Sequence, residues 1–172
     1  MSNEHGEMNS SRRMIEPLSN QMIRGGKENQ EEQVPTSFPT SILLADDNVI
    51  NRQVVLMQLK KLGMTEVDAV SNGEEASEAF LSQKYSMILM DNMMPVMDGL
   101  EATRHIRAIE RNKMWHPIPI IAMTGNVMDG EKEKCFEAGM NDFMGKPFTL
   151  EALKNMIQKW HSPSGSGEIA KR

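Results

Sequence analysis

The sequence predicts an α/β domain built on a five-stranded parallel sheet with helices on both faces, and three observations lead there. Short apolar runs suited to buried strands alternate with amphipathic stretches suited to helices, giving five such pairs. Four of the runs close on residues that phosphate chemistry can use: ILLADD on Asp46 and Asp47, MILMD on Asp91, IIAMT on Thr124 and FMGK on Lys146. A chain of 172 residues, 39% of them hydrophobic, can bury the core of one domain and leave sequence over at the ends. In an open α/β sheet the ligand crevice lies at the carboxyl ends of the strands, so these separate stretches aim at one place.

The elements follow in order. Ile42 to Ala45 reads as the first strand, leading through Asp46, Asp47 and Asn48 into a helix from Val49 to Leu62 that Gly63 closes. Val67 to Val70 is the second strand, and the turn SNG delivers a helix from Glu74 to Leu81. Met87 to Met90 is the third strand; after Asp91 the loop NMMPVMDG precedes a helix from Leu100 to Glu110. Ile118 to Met123 is the fourth strand, followed by a helix over Gly130 to Ala138. Phe143 to Gly145 is the shortest strand, and the last helix runs from Leu150 to Trp160 behind Thr149 as N-cap.

Outside this unit the composition changes. Residues 1–40 are rich in Ser, Asn, Gln, Glu and Gly without helical or strand period, which predicts a disordered leader. Residues 41–160 form the expected domain, and 161–172 carry Ser, Gly and Pro as flexible tails do. A formal charge of −5 and a pI near 5.4 give no general attraction to nucleic acid or anionic lipid. The single Cys135 excludes an internal disulfide framework and any multi-cysteine zinc site. No apolar stretch has membrane-spanning length and the first residues lack a signal-peptide core, so a soluble, cytoplasmic protein is expected.

Two adjacent carboxylates at one strand end and a third at another repel one another unless a cation lies between them. Mg²⁺ prefers oxygen ligands and takes one or two protein carboxylates plus phosphate oxygens, so Asp46, Asp47 and Asp91 are the right donors. A carboxylate can also attack phosphorus to give an aspartyl-phosphate when the incoming charge is neutralised. Lys146 is the natural cation for that, and the Thr124 hydroxyl can donate to a phosphoryl oxygen.

ILLADDN, MDNMMPVMDGLEATRHIR, PIIAMTGN and MNDFMGKPF, in this order across Ile42 to Trp160, resemble the signature segments of the receiver domain of two-component response regulators. The resemblance implies a flavodoxin-like doubly wound fold and a signalling module whose only chemistry is its own phosphorylation and dephosphorylation. It implies Asp91 as phosphoacceptor, Asp46 and Asp47 as Mg²⁺-positioning residues together with the backbone carbonyl of Met93, and Lys146 and Thr124 as holders of the phosphoryl group. It places Phe143 at the family's switch aromatic and Lys146-Pro147 at a peptide bond that is often cis. Met93 and Asn126 fall at the two variable positions flanking the phosphoryl group. DDNVIN and MPVMDGLEATRHIR are similar to receivers attached to or served by hybrid sensor kinases, which implies a histidine-phosphotransfer protein or histidine kinase as donor and a protein effector downstream.

The first helix carries two apolar stripes at helical spacing: Val55, Leu59 and Leu62, and Ile50, Val54 and Met57. Either Ile50 and Met57, with Pro147 beside them, dock the phosphotransfer partner, or the helix is wide and buried on both sides. A phosphatase of the haloacid-dehalogenase type is the enzyme alternative, but it needs a second Asp two residues after the nucleophile, where Met93 stands, and a cap domain for which there is no room. A separated receiver of a hybrid kinase and a stand-alone regulator both fit the chain.

Overall fold

The computed structural model describes residues 41–125 and 130–161, so the expectations for the leader, for Asn126 and for the tail beyond His161 fall outside the described residues. The elements are β1 (Ile42–Ala45), α1 (Val49–Lys61), β2 (Val67–Val70), α2 (Gly73–Ser82), β3 (Met87–Asp91), α3 (Gly99–Lys113), β4 (Ile120–Thr124), α4 (Glu131–Ala138), β5 (Asp142–Gly145) and α5 (Leu150–His161). All strand pairings are parallel, in the order β2-β1-β3-β4-β5. The chain therefore leaves β1 towards β2 and returns to β3 on the other side, which opens a crevice at the carboxyl ends of β1 and β3.

Alternation along the strands builds a core on each face. Ile42, Leu44, Met87, Leu89, Ile121 and Met123 face α1 and α5, where Val55, Leu59, Leu153 and Ile157 meet them. Leu43, Ile88, Met90, Ile120 and Ala122 face the other way, onto Ala76, Phe80, Ala102, Ile106 and Cys135. Every residue of β1, β3 and β4 is buried, as central strands covered twice must be. The second strand differs: it is an edge, with Asp68 and Ala69 exposed. The Tyr85 hydroxyl donates to Asp68 at 2.7 Å and ties that edge to the start of β3.

Boundaries move where side chains compete for the backbone. β4 begins at Ile120 instead of Ile118, because Pro119 has no N–H and the Ile118 N–H is taken by the buried Glu110 carboxylate at 2.9 Å. β3 and β4 each run one residue further than expected, so that Asp91 and Thr124 themselves lie in the ladder. α3 starts at Gly99, where the Asp98 carboxylate caps Glu101 N–H at 2.7 Å, and continues to Lys113. α2 starts at Gly73, whose missing Cβ lets the Met97 carbonyl approach its N–H at 3.0 Å. α4 begins at Glu131, after Gly130 in the left-handed region, and β5 begins one residue early, at Asp142. α5 extends to His161, with the Thr149 hydroxyl accepting from the Ala152 N–H as expected.

Candidate functional site

Strand register delivers the site. Asp46 follows the last residue of β1, Asp91 ends the neighbouring β3, Thr124 ends β4, and Lys146 follows β5. Asp46, Asp47 and Asp91 each present a carboxylate oxygen within 4.8 Å of the others. The Lys146 ammonium donates to Asp46 Oδ2 at 2.6 Å and to Asp91 Oδ2 at 2.7 Å, crossing the open end of the sheet. Lys146 is itself held by its N–H on the Thr124 carbonyl at 2.6 Å, and its bond to Pro147 is cis.

The acidic groups are not equivalent. Asp46 is wholly buried, and its other oxygen accepts the Asn48 N–H at 2.9 Å, so protein donors orient both ends of that carboxylate. Asn48 then caps α1, its side chain accepting from the N–H groups of Ile50 and Asn51 at 2.9 and 3.2 Å. Asp47 is exposed and Asp91 buried. Burial pushes the Asp91 carboxyl above its ordinary range, against the pull of Lys146 and of the Met93 N–H at 3.2 Å; Asp46 pushes it up further. One ammonium among three clustered carboxylates leaves negative charge uncompensated, and the donors are all hard oxygens. That set suits an oxygen-seeking divalent cation of the Mg²⁺ type, and Met93 carries the neighbouring backbone carbonyl.

One close approach and one open position flank the ends of β3 and β4. A Cβ on Gly99 would fall inside the Asp91 carbonyl, so only glycine lets α3 start here. Gly125, after Thr124, has nothing among the described residues within 4 Å of where a side chain would stand. Thr124 is buried at the end of β4. On β5 the Phe143 ring meets the edge of Phe136 at 6.4 Å between centroids, with the Lys132 ammonium 4.4 Å from its own centroid.

The two stripes of α1 differ in exposure. Val55, Leu59 and Leu62 are buried, whereas Ile50 is 72% and Met57 58% exposed. Beside them a cavity of about 370 Å³ runs past Val54 and Gln58 to Lys146, Pro147 and Phe148. Two neighbours of the site had no role assigned from the sequence. Arg52 donates to the Asp46 carbonyl at 2.6 Å, a contact hinted at only by its place one helical turn after Asn48. Asn92 is buried after Asp91 and donates to Cys135 at 3.1 Å, and no local pattern joins those positions.

Residues 42–158 match the family model described as the response regulator receiver domain. Hybrid signal transduction histidine kinase K of Dictyostelium discoideum is 40% identical over 129 residues; the match takes in 71% of this chain and 11% of that kinase, so the chain spans about a tenth of the curated relative's length. The receiver domain of a sensor histidine kinase from Pseudomonas aeruginosa, crystallised with a magnesium ion in its active site cleft, is 42% identical with a TM-score of 0.64 over 70% of this chain and 96% of that one. A Saccharomyces cerevisiae receiver domain, co-crystallised with its histidine phosphotransfer signalling protein, superposes with a TM-score of 0.70 at 29% identity, over 77% of this chain and 97% of that one. Among the described residues, no helix is long and apolar enough to cross a membrane.

Proposed function

The chain belongs to the response regulator receiver domain family, a class of signalling modules, and on that premise we propose that it accepts a phosphoryl group on Asp91 from a phosphohistidine donor in a phosphorelay. The observation that carries this reading is the Lys146 ammonium resting on the carboxylates of both Asp46 and Asp91 at the crevice of the sheet. Asp46, Asp47, Asp91 and the Met93 carbonyl would hold Mg²⁺, which when bound neutralises charge on the phosphoryl oxygens.

Asp91 supplies the nucleophilic oxygen. The donor's P–N bond breaks with its electron pair left on the imidazole, which takes up a proton from solvent, while a P–O bond forms to the Asp91 carboxylate. Lys146, already 2.7 Å from that carboxylate, meets the incoming negative charge. Asn48 and Arg52 keep the Asp46 side chain and carbonyl in place while this happens. Return to the carboxylate requires water to attack the acyl-phosphate, a step that the exposed apolar Met93, two residues after Asp91, would hinder if it folds over the site.

The donor is a histidine-phosphotransfer protein or a histidine kinase, docking on Ile50, Met57 and Pro147 beside the crevice. The exposed apolar stripe of α1 and its continuity with the cavity at Lys146 support this, as does the yeast co-crystal of a receiver with a phosphotransfer protein. Output passes through Thr124 and Phe143. The Thr124 hydroxyl moves towards the new phosphoryl oxygens and Phe143 packs behind it, changing the surface around α4 and β5 that a protein effector reads.

Incubation with acetyl phosphate and Mg²⁺ followed by intact mass tests the reading. One phosphoryl group should appear on the wild type and none on Asp91→Asn; equal labelling of both proteins rules Asp91 out as the acceptor.

A further inference from the structure

Asn92 shares a peptide bond with the proposed acceptor and is held from three directions. Its N–H reaches the Met123 carbonyl in β4 at 3.4 Å, and its carbonyl accepts the Gly99 N–H at the start of α3 at 3.1 Å. Its side-chain Nδ2 donates to Cys135 Sγ on α4 at 3.1 Å. Both side chains are shut away from solvent, Asn92 at 6% and Cys135 at 1% exposure. The remaining amide atom, Asn92 Oδ1, is buried with no hydrogen-bond partner among the described residues. A buried carbonyl left unpaired costs free energy that an apolar residue of similar size avoids, and nothing in the phosphoryl-transfer step uses this amide.

We propose that Asn92 is a positioning residue that couples the state of Asp91 to α4 through Cys135, by a route separate from Thr124 and Phe143. The inference rests on Asp91 being the acceptor. With the Asn92 backbone pinned to β4 and α3, a rearrangement at Asp91 reaches the side chain as a turn of the amide against the sulfur. That contact has two arrangements. The amide N–H donates to sulfur, as here, or the thiol S–H donates to Oδ1, an exchange that pairs the oxygen while the amide N–H gives up the sulfur. α4 is suited to respond, since it has only eight residues and is bounded by Gly130 and Gly139, both in the left-handed region. Such a two-arrangement contact biases a short helix without any new ligand.

Hydrogen exchange of residues 131–138, measured before and after acetyl phosphate and Mg²⁺ with intact mass on the same sample, tests the coupling. Wild type should gain one phosphoryl group and change α4 protection. Cys135→Val keeps volume but removes the sulfur, and Asn92→Leu removes the amide; both should gain the phosphoryl group yet lose at least threefold of the α4 change. Cys135→Ser, which still donates and accepts, should keep the change within about twofold. A full wild-type response in Cys135→Val, or an equal loss in the Val and Ser variants, overturns the coupling. If Asn92→Leu does not fold, the Val and Ser pair decides alone, because both retain Asn92. Failure of the wild type to gain mass overturns the acceptor reading and the coupling with it, whereas mass gain with no change in α4 overturns the coupling only.

Discussion

The Lys146 ammonium lies 2.7 Å from the Asp91 carboxylate across 55 residues of chain, and this contact works against burial in setting the charge state of that carboxylate. Burial raises the Asp91 pKa and Lys146 opposes the rise. Phosphorylation by acetyl phosphate needs the ionised carboxylate, so its rate should fall as pH drops through the raised pKa. Lys146→Met should move that fall to higher pH and slow the reaction at pH 7 by roughly 10²-fold or more. A pH–rate profile recorded by intact mass checks both, and an unshifted profile in Lys146→Met removes the lysine from the mechanism. The same shift has a stability sign. A carboxyl whose pKa is higher folded than unfolded binds protons more readily when folded, so its contribution favours folding at low pH and is lost as pH rises through the folded pKa. Asp91→Asn should therefore raise the melting temperature at pH 7 and leave it unchanged near pH 3.

Clustered carboxylates relieved by a cation make stability depend on metal. Mg²⁺ at about 100 times its dissociation constant should stabilise the domain by about 2.7 kcal/mol, a rise of roughly 5–15 °C in melting temperature. Asp47→Asn should abolish most of that rise, and Asp98→Asn, at the α3 cap, should not. Thermal melts with and without Mg²⁺ or EDTA decide it.

Ile50 and Met57 project from α1 with nothing over them in the described chain, at 72% and 58% exposure. Met57→Glu should slow transfer from a phosphorylated phosphotransfer protein by an order of magnitude while leaving acetyl phosphate labelling at the wild-type rate. Stopped-time transfer assays with both donors are the check, and an equal loss with both defeats the docking reading.

Asp142 opens β5 and anchors α5. Burial pushes its carboxyl upward, but donation from Lys159 at 2.6 Å, from Trp160 Nε1 at 3.0 Å and from the Phe143 N–H outweighs it and holds the pKa below the usual carboxylate range. A depressed folded pKa adds stability that is complete above the unfolded pKa and disappears as pH falls through the folded one. Asp142→Ala should cost about 1–2 kcal/mol at pH 7, mostly through the indole N–H, since Lys159 is largely solvated. The gap between the urea midpoints of variant and wild type should narrow as pH falls through the folded pKa, leaving the part that the indole N–H contributes to a neutral carboxyl.

Much of the site was legible because its residues terminate strands, and a strand's end is visible as the point where an apolar run stops. Asp91 and Thr124 mark such points, and the register of β3 with β4 carries them to one edge. Arg52 and Asn92 were not legible, for the opposite reason: one lies in the first turn of α1 and the other in a loop, and their partners are a backbone carbonyl and a cysteine 43 residues away. β4 starts two residues later than its apolar run because Glu110, on α3, takes the Ile118 N–H, a competition that no local pattern records.

Alternation of apolar runs with amphipathic stretches determined the fold class, the two-faced core and the identity of the acidic and basic residues that meet at the strand ends, because side-chain period and strand termini are local properties. Tertiary structure alone decided which stripe of α1 stays in solvent, that β2 is an edge, that Lys146 spans two carboxylates, and that Asn92 touches α4. Those relationships depend on which elements become neighbours, and the sheet order β2-β1-β3-β4-β5 sets that through contacts between residues far apart in the chain.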